Sequence, residues 1–108
     1  TSEKQAMSYW LDGRVSAVVG THTHVQTADE RILPHGTAYI SDAGMTGGHE
    51  GILGVKYSSV MPKFIQGLPC KFEASVDGAA FNGVIIEIDD STGLSTGIKR
   101  IQLPVDIS

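Results

Sequence analysis

The sequence has 108 residues, 41% of them hydrophobic and 19% charged, with a formal net charge of −4. That is enough chain for one small core and too apolar for a disordered tail; no basic stripe exists to follow a nucleic-acid backbone. No apolar run reaches membrane-span length, no leader peptide is visible and the single Cys70 cannot form a disulfide within the chain, so a cytoplasmic protein without a membrane partner is expected.

The first residue is Thr1 rather than Met, and the chain opens directly on a helix pattern, which reads as the interior of a longer protein. That helix covers Ser2 to Leu11, with Ser2 as N-cap and Gln5 completing a capping box; Ala6, Met7, Tyr9 and Trp10 give it apolar faces, and Asp12-Gly13 ends it. Residues 15–19 form a continuous apolar run closed by Gly20, as in a strand covered on both faces. Helix, glycine turn and buried strand in succession indicate an α/β fold.

Residues 30–33 and 37–40 read as two short strands joined by Pro34-His35-Gly36, followed by a glycine-rich loop over 41–54. A short helix capped by Ser58 or Ser59 runs to Gln66 and stops at Gly67-Leu68-Pro69. Residues 71–76, 80–88 and 97–103 read as strands, separated by turns at Asp77-Gly78 and 89–93, so the later half is mostly antiparallel β. No repeat or linker interrupts the chain, which is taken as part of a single domain over 1–108. Tyr9, Trp10, Phe64, Phe72 and Phe81 are expected in the core, with Cys70 as a structural thiol.

The chemistry concentrates in Gly20-Thr21-His22-Thr23-His24-Val25-Gln26, just past the carboxyl end of the first strand, where open α/β sheets bind ligands. On an extended backbone, histidines at i and i+2 point to the same side with Cα atoms roughly 6–7 Å apart. Two-metal hydrolases hold their ions about 3.5–4 Å apart, so side chains from these positions can each reach a different ion. Neutral imidazole suits Fe, Mn or Zn, while Thr21 and Thr23 offer hydroxyls to orient the ligands. His-x-His is also an ordinary loop sequence, and two histidines do not complete a two-metal site without a bridging carboxylate.

The run from Asp12 to Asp29, together with Gly36-Thr37-Ala38-Tyr39-Ile40-Ser41-Asp42-Ala43-Gly44-Met45-Thr46-Gly47, resembles the YmdB-like metallophosphoesterases of bacteria, within the calcineurin-like superfamily. The resemblance covers essentially the whole chain and implies the C-terminal part of a calcineurin-like α/β sandwich. It implies hydrolysis of a phosphodiester, with 2′,3′-cyclic nucleotides as the expected substrate class and 3′,5′-cyclic ones as an extension. It also implies two metal ions, iron with manganese as a working substitute. His22 would then serve the second metal and His24 the first. The bridging Glu, the Asn, the remaining His ligand and the proton-donating His belong to motifs upstream of this chain, which holds no catalytic proton donor of its own. On that reading the chain alone is inert, its partner is the remainder of the same protein, and homo-oligomer formation is open. A non-catalytic metal-binding or assembly module with the same fold is the alternative.

Asp42, at the end of a predicted strand, is a candidate to orient His22 or His24, although capping its own glycine loop is the plainer role. His49 is a candidate to contact substrate from that loop, a solvated loop histidine being its ordinary alternative. His35, beside Pro34, reads as a surface residue.

Overall fold

The computed structural model describes residues 1–106. Helix α1 spans Ser2–Leu11, as its pattern predicts, but its N-cap is Thr1 and no side chain caps it. Ser2 already lies inside the helix, so the Ser2–Gln5 box does not form; the Gln5 amide instead donates to the Thr1 carbonyl at 2.9 Å. Ser8 is the one fully buried residue of α1, its hydroxyl bonded to the Gln5 carbonyl at 2.6 Å.

Three short strands follow: β1 (Ala17–Val19), β2 (Arg31–Ile32) and β3 (Ala38–Ile40), in the spatial order β1-β3-β2. β1 runs parallel to β3, with Ala17 opposite Ala38 and Val19 opposite Ile40, while β2 and β3 form an antiparallel hairpin. The hairpin closes where the Leu33 amide meets the Thr37 carbonyl at 2.8 Å and the Gly36 amide meets the Leu33 carbonyl at 2.9 Å. The apolar run at 15–19 is therefore shorter as a strand than its sequence suggests and not the buried one. As an edge strand it has one neighbour, and Val19 stays 41% exposed; the central strand β3 is buried throughout. Leu33, Ala38, Tyr39 and Ile40 form the core here.

The Asp12 carboxylate joins the end of α1 to this hairpin. It accepts the His35 amide at 2.9 Å on one oxygen and the Thr37 amide at 3.2 Å on the other. The Thr37 hydroxyl accepts the Gly13 amide at 2.8 Å and donates to the Val15 carbonyl at 2.7 Å.

The later elements are β4 (Gly47–Gly48), α2 (Tyr57–Gln66), β5 (Ala79–Ile88) and β6 (Ser95–Pro104). They form a second sheet in the order β4-β5-β6, with β4 antiparallel to β5. The chain divides into two compact units: Thr1–Gly44 with Asn82–Ile101, and Met45–Phe81 with the segment from Gln102 onward. Strands β5 and β6 contribute residues to both. In the first unit, Ser95 donates its amide to the Gly36 carbonyl at 2.8 Å and its hydroxyl to the Ser16 carbonyl at 2.6 Å.

In the second unit, α2 starts at an N-cap Lys56, again without a side-chain cap; Ser59 donates its hydroxyl to the Lys56 carbonyl at 2.8 Å instead. Residues 71–76 do not form the expected strand. Their backbone groups are taken by the preceding loop, with the Lys56 amide on the Glu73 carbonyl at 2.7 Å and the Ser75 amide on the Gly54 carbonyl at 2.8 Å, leaving one isolated bridge between Val55 and Ala74.

The expected aromatic core is also corrected. Trp10 is 71% exposed beneath the Arg14 guanidinium, and Tyr9, Phe64, Phe72 and Phe81 are exposed as well. Leu33, Ala38, Tyr39 and Ile40 in the first unit, and Val60 in the second, supply the buried apolar volume instead. The architecture is mixed α/β with an antiparallel later half, as predicted. Among the described residues no helix is long and apolar enough to cross a membrane.

Candidate metal centre

The site begins where β1 ends. Gly20 passes so close to β3 that a Cβ on it would stand 1.9 Å from the Ser41 carbonyl oxygen, so no larger residue fits without moving backbone. The Gly20 amide donates to the Ile40 carbonyl at 3.0 Å, and its carbonyl accepts the Ala43 amide at 2.8 Å. The parallel ladder thus carries on past the strand ends and fixes the point from which Thr21 departs.

From there the chain bends instead of extending. His22 has φ 106° and His24 has φ 67°, both in the region that side chains with a Cβ rarely adopt. Each such residue costs on the order of 1–3 kcal/mol and persists only where its surroundings over-determine it. The extended i, i+2 geometry expected from the sequence is therefore replaced by two left-handed residues flanking Thr23.

Asp42, at 0% exposure, is what holds the bend. One carboxylate oxygen accepts both the Thr23 amide at 2.8 Å and the Thr23 hydroxyl at 2.7 Å. The other accepts the Gly44 amide at 2.9 Å. The Asp42 backbone closes the far end of the loop, donating to the Thr27 hydroxyl at 3.0 Å and accepting the Thr27 amide at 3.1 Å. Lys4 reaches in from α1: its Nζ lies 3.6 Å from Asp42 Oδ2 and donates to the Thr21 carbonyl at 2.6 Å. Burial opposes ionisation of Asp42. The Thr23 hydroxyl, the Gly44 and Thr23 amides and the Lys4 charge outweigh it and hold the carboxyl below its usual value.

A second carboxylate braces the same loop. Asp29 accepts the Thr27 hydroxyl at 2.7 Å and the Ser41 amide at 3.1 Å, and takes a further short hydrogen bond from the Ser41 hydroxyl. Burial again opposes its ionisation, and these bonds again prevail to lower its pKa. The Gln26 amide nitrogen stands 3.2 Å from the Ala43 carbonyl and 3.1 Å from those of Gly83 and Ile101, tying the loop to β5 and β6. Gly44, at φ 92°, packs where a Cβ would come within 2.9 Å of both Gln26 Cβ and Asn82 Cβ. Beside it, Asn82 Oδ1 is buried with no hydrogen-bond partner among the described residues.

Of the residues singled out from sequence, Thr21, His22, Thr23, His24 and Asp42 meet in the first unit, with both histidine side chains exposed. Asp42 caps its own loop through Gly44 and grips the histidine-bearing bend through Thr23. The named bond of Thr21 uses its carbonyl, not its hydroxyl. His49 belongs to the second unit, where its Nδ1 lies 3.0 Å from the Gly47 carbonyl. His35 is exposed and hydrogen-bonded to Asp12 through its ring at 3.0 Å. Sequence reasoning missed Lys4, Gln26 and Asp29. Each has a bond to a residue 12 to 75 positions away, and nothing in the local pattern marks those partners.

Two exposed imidazoles on a braced bend suit a share of a metal site. Among the described residues no cluster of three or more His, Cys, Asp or Glu is arranged to hold a metal ion. The donors present therefore fit as part of a ligand set, not as a complete one.

The family model described as YmdB-like protein matches residues 1–101. A 2′,3′-cyclic-nucleotide 2′-phosphodiesterase of Bacillus subtilis (strain 168) is 52% identical over 98% of this chain and 40% of its own length. A novel phosphatase from Mycoplasma pneumoniae, of known crystal structure, superposes with a TM-score of 0.89 at 40% identity, covering 95% of this chain and 37% of that one. A hypothetical protein from Thermus thermophilus superposes with a TM-score of 0.88 at 39% identity, covering 95% and 40% respectively. The chain thus spans about 40% of the length of the curated relatives it matches.

Proposed function

This chain belongs to the YmdB-like protein family, and from that premise we propose that it is the C-terminal part of a metal-dependent phosphodiesterase acting on 2′,3′-cyclic nucleotides. Activity on 3′,5′-cyclic nucleotides is an extension of the same proposal. The observation that carries the reading is the bend at 21–24, where a buried carboxylate and a lysine hold two exposed histidines in strained backbone. Backbone strain over-determined by a buried network is the signature of a pre-organised site.

In this proposal His22 and His24 are ligands, each to its own ion of a pair, with iron as the metal and manganese as its substitute. The ions supply Lewis-acid polarisation of the phosphate and a nucleophile at neutral pH. The chain's own part is positional. Neutral imidazoles enter the ligand set, Thr23 and Asp42 fix the backbone between them, and Gly20 sets where that backbone leaves the sheet. Thr21 contributes through its carbonyl, and His49 remains a candidate for contacting substrate. The remaining ligands and the proton donor for the leaving oxygen are assigned to the rest of the protein, with residues 1–108 as part of one domain.

The test is metal analysis and 2′,3′-cyclic AMP hydrolysis by the full-length protein, wild type against His22→Ala and His24→Ala. Each variant is expected to lose bound metal and at least about a hundredfold in turnover, beyond the usual effect of a residue that merely orients a ligand. Metal content and turnover unchanged in both variants would remove the proposal. A wild-type protein that binds metal but hydrolyses no phosphodiester would favour the non-catalytic module.

A further inference from the structure

We propose that Lys4 is a positioning residue for the metal centre: its ammonium group, bonded to the Thr21 carbonyl and paired with buried Asp42, keeps the 21–24 bend in the conformation that presents His22 and His24. The inference rests on the metal-site reading above and adds a residue and a mechanism to it.

The argument starts from Asp42. A carboxylate with 1% side-chain exposure needs compensation for its lost hydration. Thr23 and Gly44 give it hydrogen bonds, but these donors are neutral. The positive charge that faces it is Lys4, whose own side chain is 28% exposed and whose Nζ lies 3.6 Å from Oδ2. The same Nζ donates to the Thr21 carbonyl at 2.6 Å, one residue before His22. A single group on α1 therefore touches both ends of the restraint: the backbone entering the bend and the carboxylate that grips its middle residue.

The lysine stem contributes too. A Cβ added at Gly20 would come within 3.0 Å of Lys4 Cδ, so the stem lies along the strand exit and aims the ammonium group at the loop. The two histidines sit at φ 106° and 67°; histidine tolerates the left-handed region better than most residues, but positive φ is still uncommon for it and 106° lies beyond that region's centre. Without the ammonium group, Asp42 is a buried charge lacking its counter-ion, the Thr21 carbonyl loses its donor, and the bend is free to relax. In a relaxed bend the imidazoles are no longer pre-set, so metal binding must reorder them.

The experiment uses the full-length protein, with Lys4→Met chosen because it keeps the stem and removes the ammonium group. The first readout, on metal-free protein, is hydrogen exchange of the Thr23 amide, the donor to Asp42. The second is Mn²⁺ affinity, and the third is kcat at saturating Mn²⁺. We expect Thr23 exchange about tenfold faster, Mn²⁺ affinity about tenfold weaker as for other partners of metal ligands, and kcat largely recovered once metal saturates. Lys4→Arg, which keeps the charge, should recover most of the affinity. Thr23 exchange and Mn²⁺ affinity both within about twofold of wild type would overturn the proposal, as would faster exchange with unchanged affinity. If Lys4→Met does not fold, Lys4→Gln is held to the same criteria. A Thr23 amide in metal-free wild type that exchanges like an exposed loop amide overturns the proposal without any variant. Equal Mn²⁺ affinity in wild type, His22→Ala and His24→Ala would sink the metal-site reading instead, while the exchange readout still reports on Lys4.

Discussion

Asp42 and Thr23, 19 residues apart, are joined twice through a single oxygen: the Thr23 amide and the Thr23 hydroxyl both donate to Asp42 Oδ2, at 2.8 and 2.7 Å. Because Thr23 lies between two histidines in left-handed backbone, this pair sets the local geometry of the candidate site. It also makes the site and the fold interdependent, since the same aspartate stands at the end of the buried central strand.

Asp42→Ala leaves the Thr23 amide and hydroxyl and the Gly44 amide without their acceptor, and Lys4 without its partner. Lys4 is part-exposed and regains water, so the cost lies with the hydrogen-bond donors left unpaired, about 1–3 kcal/mol. Urea denaturation should report a loss of that order, and a loss below about 1 kcal/mol would show that solvent replaces the carboxylate freely.

Gly20→Ala places a methyl 1.9 Å from the Ser41 carbonyl oxygen and 2.9 Å from its carbon. Backbone cannot move aside as a flexible side-chain end does, so β1 and β3 must separate locally. The expected cost is about 2–3 kcal/mol, read as a lowered Tm, accompanied by faster amide exchange at Ala43. A variant as stable as wild type would mean that the close approach of these strands is absent in solution.

Gln26→Glu puts a carboxylate where an amide nitrogen faces the carbonyls of Ala43, Gly83 and Ile101. Donor is exchanged for acceptor, and oxygen then opposes oxygen. Gln26→Met only deletes the hydrogen bonds, at about 1–3 kcal/mol. The Glu variant should therefore be the less stable of the two near neutral pH, and the gap should narrow in acid as the new carboxyl takes up a proton. The reverse order of thermal stabilities would contradict this role for Gln26.

Asp12 governs part of the acid limb. Burial opposes its ionisation, but bonds from the His35 and Thr37 amides and from the His35 ring lower its pKa below the usual 3.8. The unfolded chain therefore takes up the proton at higher pH than the folded one. The contribution of Asp12 to stability is complete above 3.8 and is lost as pH falls through its depressed folded value. Asp12→Asn should be less stable than wild type at neutral pH and lose less on acidification. Parallel stability curves for the two proteins across that interval would exclude the linkage.

Much of the architecture was legible locally. The first helix, the hairpin around Pro34-His35-Gly36, and the long final pair of strands follow from periodicity and turn residues acting within a few positions. The departures share a cause. Residues 71–76 lost their strand because the loop at 54–56 took their hydrogen bonds, and the 15–19 run lost its burial because β3, not β1, has neighbours on both sides. Of the aromatic side chains, Tyr39 on β3 is buried, whereas Tyr9, Trp10, Phe64, Phe72 and Phe81 lie exposed.

By itself the sequence determined which donors the candidate site would offer under the proposed function: His22 and His24, spaced by one threonine and preceded by a glycine that lets the strand end close to its neighbour. Only the tertiary structure decided that those donors ride on a bend instead of an extended strand, and that Asp42 and Lys4 hold it. The physical reason is range. Local preferences act over a few residues, whereas a parallel pairing such as β1 with β3 must first close a long loop, and only then does it carry Asp42 to Thr23 and align both with α1.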